Sequence, residues 1–235
     1  MPEKPALYVA IVATASGALF GAGTSLVNDL SSEYGTFGRG LADSPFVPAL
    51  KVSSILFDAG WSWAALAVLT GWYAVWARRG AERAAPIGAA CGALALLGAS
   101  VGYFCADAPL RREPLSSHLV EMVVWSIASL VLGPLLGAIG SQVVRKGLIG
   151  MFAGLAVPAG AVAQTLLLRV SEPGRTGAHT TAEAIVCVAA AAVAVFVLAR
   201  TLRARRLMDV PPEPGARTPT AEAPITRSVM DDHLG

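Results

Sequence analysis

The chain has 235 residues, 54% of them hydrophobic and only 14% charged, with a mean hydropathy of +0.59. A soluble domain carries about 25% charged residues, so this chain lacks the charge to cover a water-soluble surface of its size. The formal net charge of +2 is too small to imply a nucleic-acid partner. The three cysteines, Cys91, Cys105 and Cys187, form neither a CxxC pair nor a metal-binding spacing.

Six apolar segments are long enough to span a bilayer, whose hydrocarbon core of about 30 Å takes roughly 20 helical residues. The first, 7–27, follows Lys4. It reads as a retained span or as the core of a signal peptide, and its length favours retention. A long loop over 28–51 follows, with Gly35, Gly38, Gly40, Pro45 and Pro48. The second segment, 55–77, has Trp61 and Trp63 near one end and Trp72, Tyr73 and Trp76 near the other, the placement of two interfacial aromatic belts. The third, 86–106, opens on Pro86, which a first helical turn accommodates without losing a hydrogen bond. The fourth and fifth, 119–144 and 148–168, enclose Pro134 and Pro158, which predict kinks. The sixth covers 181–202, and the remaining 207–235 holds five prolines and few large apolar residues, which predicts a disordered tail.

Basic residues near the segment ends set the orientation. With the N-terminus inside, Lys4, Arg78, Arg79, Arg83, Arg145, Lys146, Arg200, Arg203, Arg205 and Arg206 fall in the cytoplasm. Arg39, Lys51, Arg111, Arg112, Arg169 and Arg175 fall outside. The expected fold class is therefore all-α: a polytopic transmembrane helical bundle of about six helices with both termini cytoplasmic.

Small residues recur four apart at Gly17 and Gly21, Gly88 and Gly92, Gly98 and Gly102, Gly133 and Gly137, and Gly150 and Gly154. In lipid such pairs let helix backbones approach closely, either within one bundle or at a dimer face.

The acids carry two readings. Asp58, Glu121 and Glu183 each lie in or just before the expected first turn of an outside-to-inside helix. There a carboxylate complements the unpaired N–H groups and the helix dipole. Thr180 and Glu183 match a capping box. The alternative is one acidic outer vestibule that attracts a cation, formed by Asp58, Glu121 and Glu183 with Asp107, Gln164, Asp29, His118 and His179. Gln164 is the strongest polar group inside a span, and its amide suits a bond between helices or a substrate contact. Cys105 and Cys187 share the outer level and read as free thiols more readily than as a disulfide.

No phosphate-binding glycine loop, nucleophile elbow or HExxH motif is present, and no span carries the central acid or base of a proton relay. The sequence implies no catalytic residue, no cofactor and no metal site.

Arginine outnumbers lysine fifteen to three, a bias of GC-rich bacterial genomes. With its six apolar segments, its long first outer loop from Asn28 and its Arg-rich helix ends, the chain resembles the small uncharacterised multi-pass membrane proteins of high-GC actinomycetes. That resemblance implies a plasma-membrane location. The expected partners are the lipid bilayer and a membrane protein or second copy of the chain. The expected role is non-enzymatic, as an accessory or interaction protein, with a small permease using the outer acidic rim as the alternative.

Overall fold

The computed structural model describes residues 5–41, 43–78, 84–171 and 176–208. Seven α-helices account for most of them: α1 (Ala6–Ser31), α2 (Val47–Asp58), α3 (Gly60–Ala77), α4 (Ala84–Arg111), α5 (Leu119–Gln142), α6 (Leu148–Ser171) and α7 (Gly177–Met208). No strand occurs among the described residues. Five of these helices are each long and apolar enough to cross a membrane, and the bent pair α2–α3 passes the same test when taken together, as a broken span or a re-entrant loop. The expected all-helical, membrane-embedded bundle is what the chain forms.

The helices α1, α3, α4 and α5 form a tight core, in which α4 packs closely on both α1 and α5, while α6 and α7 pair with each other beside it. Without a hydrophobic drive between helices in lipid, this core depends on close van der Waals fit. The glycine pairs supply it. A Cβ on Gly17 or Gly21 would overlap the carbonyl oxygen of Ala95 or Ala99, and Gly98 and Gly102 face the backbone of Thr14 and Ala18 in return. The α4–α5 seam is built alike: Gly92 packs on Gly133 and Gly137, and Gly88 on Gly137. Gly137 also meets the backbone of Gly71 on α3, so three helices converge on one residue without a side chain. Such approaches favour Cα–H···O contacts between helices. Pro134 and Pro158 lie inside α5 and α6 without ending either helix.

Several expected boundaries shift. The second apolar segment is not one straight helix: the chain breaks at Ala59 and bends by 59° between α2 and α3. The loop expected over 28–51 is largely structured, because α1 continues to Ser31, a 3-10 turn covers Gly38–Leu41, and α2 starts at Val47. Helix α7 starts at Gly177 and continues to Met208, past the expected end at 202. The part of the expected disordered tail from 209 onward, and Arg79 and Arg83 of the basic linker, lie outside the described residues.

The break is stabilised in an apolar setting. Within lipid, a chain that leaves helical geometry exposes backbone polar groups that need partners. Ser62 Oγ donates to the carbonyls of Phe57 (2.7 Å) and Ala59 (2.6 Å). Gln164 of α6 accepts a hydrogen bond from the Trp61 amide through Oε1 at 2.9 Å. Gly60 packs beside that amide, and a Cβ there would stand in ordinary contact at 3.4 Å from Gln164 Oε1.

Candidate functional site

Alternating helix directions bring the ends of α1, α4 and α6 together with the starts of α3, α5 and α7 at one end of the bundle, here the distal end. All five residues expected to form a polar rim lie there, and the structure divides them into four groups.

Asp58 is the last residue of α2 and stands just before α3, one of the two placements that the sequence allowed, not within a first helical turn. The helix start falls after it, beyond the extended Ala59. Its carboxylate lies beside the Asn28 side chain. Asn28 is the hub of a small network, because its Oδ1 accepts from Ser54 Oγ at 2.6 Å and its Nδ2 donates to the Tyr103 hydroxyl at 3.4 Å.

Asp107, near the end of α4, is buried. It is held by Arg111 Nε at 2.7 Å and by the Ser25 hydroxyl of α1 at 3.2 Å. A buried carboxylate needs such pairing, because its desolvation is costly unless a cation and hydrogen bonds replace the lost water.

Gln164 and Glu183 line a small, mainly apolar cavity of about 50 Å³ beside Ala59 and His179. Gln164 acts there as the interhelical bond that its place in a span suggested. Glu183 does not complement a helix N-terminus: α7 begins at Gly177, and no acid stands in its first turn. The capping box read from Thr180 and Glu183 is therefore not formed. Instead, Thr176 precedes the helix and its Oγ1 lies 2.9 Å from His179 Nδ1.

Glu121 does occupy the first turn of α5. It lies 3.8 Å from His118 Nδ1, and Glu113 lies 3.4 Å from His118 Nε2 without hydrogen-bond geometry. His118 is buried and packs against the Phe104 ring at 6.0 Å. Cys91, Cys105 and Cys187 are all free. No group of three or more metal-ligating side chains occurs among the described residues.

A larger feature at this end had no motif in the sequence. A cleft of about 370 Å³ opens between the end of α1, the segment that follows it, and the end of α4. The segment is tied down from several directions. Asp29 accepts the amides of Thr36 (2.8 Å) and Phe37 (2.9 Å), one on each carboxylate oxygen. Thr36 Oγ1 donates to the Leu110 carbonyl in the last turn of α4, satisfying a helix-end acceptor. Gly35 and Gly38 pass so close to the backbone of Asp29 and Ser32 that a Cβ at either would overlap it. On the α4 side, Arg112 turns into the left-handed region at φ 60°. Its amide bonds to the Pro109 carbonyl at 3.2 Å and that of Glu113 to the Ala108 carbonyl at 2.9 Å, the bond pattern of a Schellman helix end. The signals available beforehand were the glycines after Asn28 and the Arg111–Arg112 pair. Nothing in the sequence tied the two regions together.

The model of a family of unknown function, DUF6518, matches residues 54–211, more than half of the chain. The chain belongs to DUF6518. No curated protein and no solved structure matches it. The part matching DUF6518 runs from the second half of α2 through α7. It therefore includes Asp58, Asp107, Glu121, Gln164 and Glu183 and the α4 wall of the cleft, while Asn28, Asp29 and Arg39 precede it.

Proposed function

We propose that this DUF6518 protein is a non-enzymatic accessory or interaction protein of the plasma membrane, with both termini in the cytoplasm and the distal cleft as its working surface outside. The observation that carries this reading is the packing of the core. The seams between α1, α4, α5 and α3 close on backbone atoms, so these interfaces leave no room for a solute to pass, and the roomy polar space lies at the bundle end. Exposed Val120, Val123, Val124, Ile127 and Val131 line one flank of α5. Lipid covers such a flank, and so would a helix from a membrane-protein partner or a second copy of the chain. The basic residues near Arg78, Arg145 and Arg200 support the orientation.

A permease is the second reading, favoured by the break at Ala59. Interrupted helices with polar neighbours recur at transporter binding sites, and Asp58, Gln164 and Glu183 surround this one. Proteoliposomes containing the purified chain and entrapped monovalent cations separate the two. The accessory role predicts efflux no faster than from empty vesicles. Saturable efflux that is lost in Asp58→Asn would transfer the assignment to transport.

A further inference from the structure

We propose that the distal cleft is a binding site for a phosphate-bearing anion, with Arg39 and Arg112 as the residues that hold it. The cleft is lined by three guanidinium groups, Arg39, Arg111 and Arg112, and three carboxylates, Asp29, Asp107 and Glu113. On formal charge it is neutral, but the groups are not equally available. Asp29 is committed through both oxygens to the Thr36 and Phe37 amides. Asp107 is buried against Arg111 and Ser25. Glu113 lies beside Ser117 and His118. Among the described residues, no carboxylate pairs with Arg39 or Arg112. The cleft thus offers two uncommitted guanidinium forks, each shaped to hold two oxygens of one oxyanion.

The backbone at Arg112 supports the same ligand. The position after a Schellman helix end favours glycine, because a Cβ is strained at positive φ. The chain instead places an arginine there at φ 60°, among the residues that line the cleft. The ends of α1 and α4 would oppose an anion through their partial negative charge. The carbonyls that carry this charge are largely taken up, by Thr36 at Leu110, by the amides of Arg112 and Glu113 at Pro109 and Ala108, and by Ser31 at Asn28. The volume exceeds what a bare phosphate ion fills and accommodates a phosphate monoester or the headgroup of a phospholipid.

This inference rests on the proposed role of the cleft for its location only. Its failure would remove the anion and leave the efflux result standing.

The experiment is a melting series of the full chain in a maltoside detergent, at constant ionic strength. Sodium phosphate, glycerol phosphate or phosphatidylglycerol is added against sodium chloride alone. A ligand that binds only the folded state raises Tm in proportion to the logarithm of its concentration. We expect such a rise in the wild type. It should need at least roughly tenfold more ligand in Arg39→Gln and in Arg112→Gly, since each loses a charge-assisted hydrogen bond. Arg112→Gly should melt at the same temperature or higher without ligand, so its lost response cannot be misfolding. Lys51→Gln, which removes a charge engaged by Glu33 outside the cleft, should keep the full response. A rise with glycerol phosphate identifies a soluble ligand, and a rise with phosphatidylglycerol alone identifies a lipid headgroup. No rise with any of the three, or an equal rise in Arg39→Gln and Arg112→Gly, would overturn the proposal.

Discussion

A single methyl group is enough to test how the core is held. At Gly137 an added Cβ would overlap the backbone of Gly88 and Gly92 on α4, and this close-packed seam leaves it little room. Overpacking of this kind costs about 1–3 kcal/mol. At Gly160 on α6 nothing lies within contact distance, and alanine is the better helix former by about 0.5–1 kcal/mol. Gly137→Ala should therefore lower Tm of the detergent-solubilised protein by several degrees, while Gly160→Ala leaves it unchanged or raises it. Equal effects at the two positions would mean that the seams are looser than backbone contact. The sequence placed Gly137 in a four-residue pair with Gly133 and Gly160 in none, but Gly154, paired in the same way with Gly150, meets the Val197 side chain instead of a backbone. Which of them meets another backbone depends on helix rotation, and no spacing along one helix specifies the rotation of its neighbour.

The break between α2 and α3 is an arrangement of whole elements. Asp58, Gly60 and Ser62 interrupt the apolar run locally, yet they do not say that the chain bends there. The bend is sustained by α6, more than a hundred residues later, whose Gln164 takes the Trp61 amide. Gln164→Leu would leave that amide without its partner in an apolar setting, at a cost of about 1–3 kcal/mol. Gln164→Glu keeps an acceptor at the same reach and should cost less. The measurement is Tm of both variants with hydrogen exchange at the Trp61 amide, which should accelerate in the leucine variant only. Unchanged exchange in Gln164→Leu would show that the bend is held by Ser62 and packing alone. The acids belong to this scale as well. Glu121 stands in the first turn that its spacing indicated and Asp58 just before one, whereas Glu183 does neither, because α7 starts earlier than expected.

At the scale of the whole molecule, the distal end gathers the cleft, the Asn28 network and the break on one side of the bundle. The proposed orientation places that side outside. Cysteine labelling of intact cells checks this in a variant whose three native cysteines are replaced, since Cys105 and Cys187 are exposed. A cysteine at Gly40 should label, because that position has open space, whereas one at Gly38 would overlap the Ser32 carbonyl. A cysteine at Gly215 should stay unlabelled until the cells are permeabilised. Labelling at Gly215 before Gly40 would invert the topology and move the cleft to the cytoplasmic side.

The helical class and the presence of five or six apolar helices long enough to span a membrane were legible from the chain alone. They follow from composition and segment length, and the bilayer imposes both: a span must be apolar, helical and about 30 Å long whatever its neighbours do. The interhelical role of Gln164 was legible for the same reason, since an amide in an apolar span has to find a partner. The order of packing was decided in three dimensions, with α4 packed on both α1 and α5 and the α6–α7 pair set aside. So were the partner that Gln164 finds, the 59° bend and the cleft that joins Arg39 to Arg112. These depend on which backbones can approach and which orphaned polar groups can be satisfied at the same time. Both conditions are shared between segments far apart in the sequence, so no local pattern carries them.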